Sequence, residues 1–285
     1  MTAPIIRTRT ELRAMTRSWR QAGETIGVVP TMGALHDGHL SLVGRAEEMS
    51  QRVIVTIFVN PKQFNNAQDL ANYPRTEHED ARKLERFAVD AIYVPDGSQM
   101  YPDGFATNVS VAGLTDVLCG AHRPGHFDGV ATVVAKLFLQ TSADFAFFGE
   151  KDFQQLQVVR RMARDLDIPV QVVGCPTIRE IDGLAMSSRN LLLSDQARSR
   201  AAALHEVMEQ MAEALGRGAV ISDLRPEAEA RLAASGFGKI DYLEMRTLDG
   251  LALIDCATEP ARLFAAAYMA GVRLIDNIEV PVPGS

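Results

Sequence analysis

Short apolar runs alternate with amphipathic segments from residue 11 to residue 173, and this alternation restricts the possible folds more than any other feature. Continuous β-branched and aromatic runs, such as the one at 53–59, are typical of strands covered on both faces. The pattern predicts strands at 25–29, 53–59, 91–94, 145–148 and 168–173, and helices at 11–21, 39–49, 76–87, 129–140 and 154–165. A capping pattern that begins at Thr76 starts the third of these helices. This order predicts an α/β fold with a doubly wound parallel sheet.

The pattern changes after Gly183, where Ala-, Glu- and Arg-rich segments predict helices at 195–215 and 222–234. Short strands are expected around 240–245 and 262–269. We therefore predict two domains: a Rossmann-like domain at 1–178 and a smaller α+β domain at 179–285. Met208 and Met211 follow helical spacing and are expected to make core or interhelical contacts.

Composition excludes several classes of function. The net charge of −7 argues against a general binder of nucleic acids or anionic membranes, because such surfaces need excess Lys and Arg. The three cysteines are far apart, so neither a disulfide framework nor a thiolate zinc site is indicated. With no signal-peptide pattern and no apolar run long enough to cross a bilayer, we expect a soluble, cytoplasmic protein.

The segment 30–39, Pro-Thr-Met-Gly-Ala-Leu-His-Asp-Gly-His, lies where a predicted strand meets a predicted helix. Unpaired N–H groups at a helix start attract anions, and Gly33 and Gly38 allow close approach of a ligand. His36 and His39 are three positions apart, so in a first helical turn both could reach one polyphosphate. A chance His-x-x-His or a helix cap is the alternative, and a transition-metal site would need further ligands that the sequence does not show nearby.

Three further polar segments fall after predicted strands or beside the second domain, at 58–64, 147–155 and 184–190. Gln63 could bind a hydroxyl or carboxylate, although an exposed loop residue is the ordinary case. Lys151 can place an ammonium against phosphate, Gly149 permits close approach, and Gln155 lies one helical turn beyond Lys151. The 187–189 cluster, Ser-Ser-Arg, combines two hydroxyls with a guanidinium.

Together these segments resemble the pantothenate synthetase (pantoate–beta-alanine ligase) family of the class I nucleotidyltransferase-like superfamily. His36-Asp37-Gly38-His39 resembles the His-x-Gly-His signature of that superfamily, and the segment 186–189 resembles its second phosphate-binding signature. Those two signatures alone indicate only the superfamily. The resemblance to this particular family rests on the segments 58–61, 149–152 and 154–155. Further matching segments are 73–76, 123–127 and 273–277.

The resemblance implies that pantoate attacks ATP to give pantoyl adenylate and pyrophosphate, after which beta-alanine gives pantothenate and AMP. It implies catalytic roles for His36, His39, Lys151, Ser187, Ser188 and Arg189, with His39 favoured as the proton donor. ATP would be bound by Pro30, Thr31, Met32, Gly33, Ala34, Leu35, His36, Asp37, Gly38, His39, Gly149, Glu150, Lys151, Asp152, Ile178, Met186, Ser187, Ser188 and Arg189. Gln63 and Gln155 would hold pantoate, with Gln63 also near beta-alanine.

Mg²⁺ should accompany ATP, with Glu79 and Asp80 as candidate ligands, although a carboxylate on a helix face is commonly just solvated. The resemblance implies a homodimer. We expect no nucleic-acid or membrane partners, and we expect the second domain to close over the nucleotide. The loop with His122, Arg123 and His126 could be a flap or a plain connection. Two alternatives stay open: a sister adenylyltransferase that transfers a nucleotide onto phosphate, and a fragment of a tRNA-binding synthetase, which would need a basic groove.

Overall fold

A computed structural model describes residues 3–283 and divides them into two compact units. Unit 1 contains the residues up to 115, together with 123–150 and 155–176. Unit 2 contains 116–122, 151–154 and the residues from 177 onward. The predicted domain limits, 1–178 and 179–285, stay a prediction; residues 116–122, 151–154 and 177–178 of the first range belong to unit 2.

Nine strands lie in the described residues: β1 Ile5–Ile6, β2 Ile26–Thr31, β3 Arg52–Ile57, β4 Ala91–Tyr93, β5 Phe145–Gly149, β6 Gln171–Cys175, β7 Phe237–Thr247, β8 Ala261–Met269 and β9 Val272–Val280. The same residues form eleven α-helices: α1 Arg9–Gln21, α2 Asp37–Met49, α3 Ala67–Asn72, α4 Glu77–Leu84, α5 Gly97–Met100, α6 Leu118–His122, α7 His126–Thr141, α8 Phe153–Asp165, α9 Asp195–Ala201, α10 Ala203–Gly216 and α11 Ile221–Ala234.

Unit 1 is built on a six-stranded parallel sheet with the strand order β1-β4-β3-β2-β5-β6. β2 pairs with β3 from Ile26 opposite Arg52 to Thr31 opposite Ile57, and it pairs with β5 on its other side. The predicted doubly wound parallel sheet is therefore confirmed. Because the chain order reverses between β2 and β5, the crevice at their carboxyl ends is the place where such sheets bind ligands.

The core of unit 1 lies between the sheet and helices such as α2. Val29, Val43 and Val55 are at most 1% exposed and pack in one cluster with Leu40. A fully buried aliphatic side chain contributes about 1.5–3 kcal/mol, so this face of α2 holds the helix on the sheet. The start of α2 is thereby fixed relative to the end of β2.

Unit 2 contains a three-stranded antiparallel sheet with the order β7-β8-β9. Helices α10 and α11 belong to this unit, and Met208 and Met211, at 0% and 4% exposure, lie in its core as expected. The helix predicted at 195–215 is two helices, α9 and α10, which adjoin at Ala202. β9, at Val272–Val280, was not predicted because Arg273, Asp276 and Asn277 interrupt its apolar pattern.

Two local predictions in unit 1 are wrong in detail. The strand expected at 168–173 begins only after Pro169, at Gln171, since Ile168 still bonds back to Ala163 of α8. Thr76 is the N-cap residue of α4, but its side chain makes no capping bond. The Thr76 hydroxyl instead donates to Asp80 at 3.0 Å.

Within residues 3–283, none of the helices has the length and apolar character needed to cross a bilayer.

Candidate functional site

The backbone between β2 and α2 forms a tight turn that begins within the strand. Pro30 and Thr31 are still paired with β3, and the Thr31 hydroxyl donates to Thr56 O at 2.7 Å. The same hydroxyl accepts from Gly33 N at 3.2 Å. Gly33 has φ +85° and Ala34 has φ +51°, so two successive residues adopt the left-handed conformation. The turn delivers residues 36–39 to the carboxyl edge of the sheet.

Asp80 holds this turn from beneath. Its carboxylate is fully buried and accepts from Ala34 N at 2.9 Å and Leu35 N at 2.7 Å, besides the Thr76 hydroxyl. A Cβ on Gly33 would lie 3.1 Å from Asp80 Oδ2, which leaves little room for any other residue there. Lys83 Nζ donates to Leu35 O at 2.8 Å and completes the support.

The candidate magnesium ligands Glu79 and Asp80 both have other partners in this structure. Both Asp80 oxygens are used by the turn and the side chain has no exposed surface. Glu79 is half exposed and pairs with Lys83 at 3.1 Å across one helical turn. Among residues 3–283, no group of three or more His, Cys, Asp or Glu side chains is placed to hold a metal.

His36 and His39 lie side by side at the start of α2. His36 is the N-cap with extended backbone, and its carbonyl accepts from His39 N at 2.8 Å and Leu40 N at 3.1 Å. The two imidazole centroids are 4.1 Å apart and tilted by 41°. Both residues are half-buried, so the pair reaches the surface at the positive end of the α2 dipole. Asp37 points outward and pairs with Arg86 at 3.2 Å.

Gln63 lies beside this turn in a 3-10 turn at Pro61–Gln63, which follows β3. Its Nε2 donates to Met32 Sδ at 3.2 Å, and its Oε1 accepts from Asn60 Nδ2 at 3.0 Å. Asn60 is 1% exposed and also donates to Gly129 O at 3.0 Å. Gln63 is therefore an oriented, half-buried amide rather than a free loop residue.

Sequence reasoning missed the residues that hold the Gln63 loop. His126 Nδ1 lies 2.8 Å from Gln63 O, and Arg123 Nη2 donates to the same oxygen at 3.2 Å. The Tyr101 hydroxyl donates to Asn60 Oδ1 at 2.8 Å, and burial raises the pKa of Tyr101 well above its ordinary value. The Arg-Pro-Gly-His segment at 123–126 was noted in the sequence as a loop, and its role appears only when the contacts are known.

Unit 2 carries the second set of candidate residues. Ile178 and Met186 face each other across a hairpin in which Met186 N donates to Ile178 O at 3.0 Å. Ser187 follows this hairpin as the N-cap of a 3-10 turn, and its hydroxyl accepts from Arg189 N at 3.2 Å. The buried Asn190 donates to Ala185 O at 3.1 Å, which ties the turn to the hairpin.

Lys151 lies with these residues in unit 2. One pocket is lined, among others, by Lys151, Ser187, Arg189 and Arg273. It combines three cationic side chains with a hydroxyl, and none of the described residues that line it is acidic. Such a pocket is suited to phosphate oxygens. Ser188 opens the 3-10 turn that carries Arg189.

Arg273 is held in place by a buried carboxylate. Arg273 Nε donates to Asp241 Oδ2 at 2.7 Å, and Lys239 pairs with the other oxygen at 2.8 Å. Burial alone would raise the pKa of Asp241, but the hydrogen bonds from Lys239 and Arg273 outweigh it and hold that pKa below its ordinary value.

The segment after β5 follows the predicted order of strand, turn and helix. Glu150–Asp152 is a 3-10 turn, and α8 begins only at Phe153. The Asp152 carboxylate lies 3.7 Å from Lys151 Nζ. A Cβ on Gly149 would meet open space, so the backbone there is accessible to a ligand. Gln155 is half-buried in the first turn of α8 and belongs to unit 1.

The fold and these residues define the class: an α/β nucleotide-binding protein of the nucleotidyltransferase type, with a histidine pair at the helix that follows the switch-point strand. A family model described as pantoate-beta-alanine ligase matches residues 4–279. The chain belongs to the pantoate–beta-alanine ligase family and is an enzyme.

Relatives and solved structures agree with this assignment. The pantothenate synthetase of Roseobacter denitrificans is 71% identical over 99% of both chains, and that of Ruegeria pomeroyi is 65% identical over 98% of both. The crystal structure of pantothenate synthetase from Thermus thermophilus has 45% identity and a TM-score of 0.91 over 98% of this chain and 99% of that one. The pantoate-beta-alanine ligase of Francisella tularensis, complexed with beta-gamma ATP and beta-alanine, has 32% identity and a TM-score of 0.82 over 97% of both.

Proposed function

We propose that the protein joins pantoate to beta-alanine through pantoyl adenylate, with ATP cleaved to AMP and pyrophosphate. The observation that carries this proposal is the paired imidazoles at the start of α2, 4.1 Å apart, in a chain whose residues 4–279 match the ligase family. The F. tularensis relative, complexed with beta-gamma ATP and beta-alanine, supports ATP and beta-alanine as substrates. Pantoate follows from the family to which the chain belongs.

In the first step a pantoate carboxylate oxygen attacks the α-phosphorus of ATP, and the bond from that phosphorus to the pyrophosphate oxygen breaks. Charge grows on the leaving pyrophosphate, so the step needs positioning and positive groups more than a covalent catalyst. We assign this task to His36 and His39, with the helix N–H groups behind them. His39 would supply a proton to the leaving group.

Lys151 and Arg189 would neutralise phosphate charge, and Ser187 and Ser188 would donate hydroxyl hydrogen bonds to phosphate oxygens, a role supported by the pocket that three of these residues line. The turn at 30–38 and the backbone at Gly149–Asp152 would hold the nucleotide, with the Ile178 backbone against the adenine and Met186 in the segment that binds phosphate. In the second step the amine of beta-alanine attacks the acyl carbon of the adenylate, AMP leaves, and the amine loses a proton. Gln63 and Gln155 would hold pantoate in both steps.

Mg²⁺ is proposed to accompany ATP through phosphate oxygens and water, the ligands this ion prefers when it binds nucleotides. Bound in this way, it would neutralise part of the phosphate charge. Glu79 and Asp80 are not assigned to it, because Asp80 supports the turn and Glu79 pairs with Lys83.

A cytoplasmic location and a homodimeric assembly are also proposed. The location is supported by three cysteines that are all free thiols in the structure. The dimer is supported only by family resemblance, and light scattering coupled to gel filtration would test it.

One assay tests the reaction. Purified enzyme is mixed with ATP, Mg²⁺ and pantoate, with and without beta-alanine, and pyrophosphate, AMP and pantothenate are measured. We expect a stoichiometric burst of pyrophosphate with pantoate alone, and steady release of AMP and pantothenate once beta-alanine is added. Release of pyrophosphate in the absence of pantoate, or a steady rate of AMP release that does not depend on beta-alanine, would contradict the proposal. A sister adenylyltransferase would instead keep the AMP moiety in its product.

A further inference from the structure

The short segment 151–154 belongs to unit 2, although Glu150 and the strand before it belong to unit 1. Gln154, which is 5% exposed, accepts from Cys119 N at 2.9 Å and donates to Val117 O at 2.7 Å. Phe153 packs against the ring of Phe264, with the centroids 6.0 Å apart. These contacts fix the end of the segment but leave the Lys151 backbone to be held by something else.

Asn277 of β9 holds that backbone. Its Nδ2 donates to Lys151 O at 2.9 Å, and its own backbone N–H donates to Asp276 Oδ1 at 2.7 Å. Asn277 is 3% exposed, so the bond to Lys151 is shielded from water. Its side-chain oxygen accepts from Nη1 of Arg262 on the neighbouring strand β8.

Arg262 connects both ends of the segment. It is 5% exposed and orients the Asn277 amide with one nitrogen, while its guanidinium lies 4.3 Å from the centroid of the Phe153 ring. Another nitrogen donates to Glu279 Oε1 at 2.7 Å. The Arg262 guanidinium thus orients the Asn277 amide, which bonds to Lys151 O, and it also stacks on the Phe153 ring.

We propose that Asn277 and Arg262 are positioning residues for Lys151, which hold its backbone so that the ammonium stays in the pocket with Ser187 and Arg189. This inference rests on the proposed function, in which Lys151 acts on the ATP phosphates. The lysine side chain is a long flexible stem with a point charge at its end, so its geometry depends on where its backbone is fixed. A displacement of about 1 Å at a reacting centre can cost about 100-fold in rate.

Asn277→Asp is the sharpest variant. It conserves the size of the side chain and the acceptor for Arg262, but it removes the donor to Lys151 O and places a negative oxygen against that carbonyl. We expect the rate constant of adenylate formation at saturating substrates to fall about tenfold or more, with the KM for beta-alanine unchanged. Glu279→Gln is the control, because Glu279 is 72% exposed and bonds Arg262 through Nη2 and not through the Nη1 that bonds Asn277; its rate should stay near that of the wild type.

A double-mutant cycle separates positioning from general damage. If Asn277 acts through Lys151, Asn277→Asp should slow the wild type but have little further effect in the Lys151→Ala background. An equal slowing in both backgrounds would overturn the proposal, as would a wild-type rate for Asn277→Asp. If Asn277→Asp does not fold, Arg262→Lys takes its place in the same double-mutant cycle. Lysine keeps the positive charge beside Glu279 but lacks the planar guanidinium that bonds the Asn277 amide. Failure of the proposed function would be seen separately, as a wild-type enzyme that forms no pantothenate.

Discussion

Replacing Asp80 with asparagine tests whether this carboxylate supports the turn at 33–35 or binds magnesium. In the structure the two Asp80 oxygens accept from Ala34 N and Leu35 N, and one of them also accepts the Thr76 hydroxyl. Asparagine has the same shape, but its amide nitrogen would face a backbone N–H, donor against donor. The turn that presents His36 would then lose one of the two backbone hydrogen bonds that hold it to residue 80.

The magnitude follows from the contacts that are lost. A hydrogen bond to a charged group contributes about 1.5–3 kcal/mol, and a buried donor left unsatisfied costs about 1–3 kcal/mol. Asp80→Asn removes at least one of the two charge-assisted bonds from backbone N–H groups and makes the remaining bonds neutral, so we expect a loss of about 2–4 kcal/mol in the free energy of unfolding. Glu79→Gln removes an exposed ion pair with Lys83 and should cost about 0–1 kcal/mol.

Urea unfolding in the absence of ATP and Mg²⁺ measures this loss directly, since no ligand is present to bind. In parallel, the rate of adenylate formation is measured as a function of Mg²⁺ concentration. We expect a destabilised Asp80→Asn variant with a lower maximal rate and an unchanged half-saturating Mg²⁺ concentration. Wild-type stability combined with a strongly raised Mg²⁺ requirement would refute the assignment of Asp80 to the turn.

Three further predictions concern separate parts of the molecule. His39→Ala should slow adenylate formation by about 100-fold or more in rapid-quench measurements, and a near-wild-type rate would remove this imidazole from the mechanism. Gly129→Ala should destabilise the fold by about 1–3 kcal/mol in urea unfolding, because the new Cβ would lie 2.3 Å from Lys62 O; a stable variant with an unchanged KM for pantoate would contradict this. The pKa of Asp241 is depressed, so its stabilising effect is present above its ordinary pKa of about 4 and is lost as the pH falls through the lower folded value. Lys239→Met should therefore move the acid-unfolding midpoint to higher pH, and an unchanged midpoint would show that Lys239 does not depress this pKa.

The parallel sheet could be predicted from sequence because its central strands are buried on both faces and read as continuous apolar runs. Val53 to Ile57 is an example, with all five residues buried. The histidine pair could be found for a similar reason, since three positions in a first helical turn bring side chains to one face. Both patterns depend only on residues that are close together in the chain, so the sequence alone is enough to predict them.

The supports of the candidate site are not local, which explains why they were missed. Asp80 bonds to a turn 45 and 46 positions earlier in the chain, and Asn277 bonds to a residue 126 positions earlier. From sequence, a carboxylate on a helix face such as Asp80 is expected to be solvated. Nothing in the neighbouring residues indicates that it binds a buried turn. Lys151 and Gln155 were expected to face one pocket because they are four positions apart, whereas Lys151 lies in a 3-10 turn assigned to unit 2 and Gln155 lies in α8, in the part assigned to unit 1.

Isotopic labelling of the carboxylate oxygens of pantoate tests the pantoyl adenylate intermediate most directly. Pantoate labelled with heavy oxygen in its carboxylate is turned over with ATP, Mg²⁺ and beta-alanine, and the phosphate-containing products are analysed by mass spectrometry. Because the labelled oxygen attacks the α-phosphorus and stays there when beta-alanine displaces AMP, we predict one labelled oxygen in AMP and none in pyrophosphate. Label in orthophosphate, or unlabelled AMP alongside labelled pantothenate, would contradict the pantoyl adenylate.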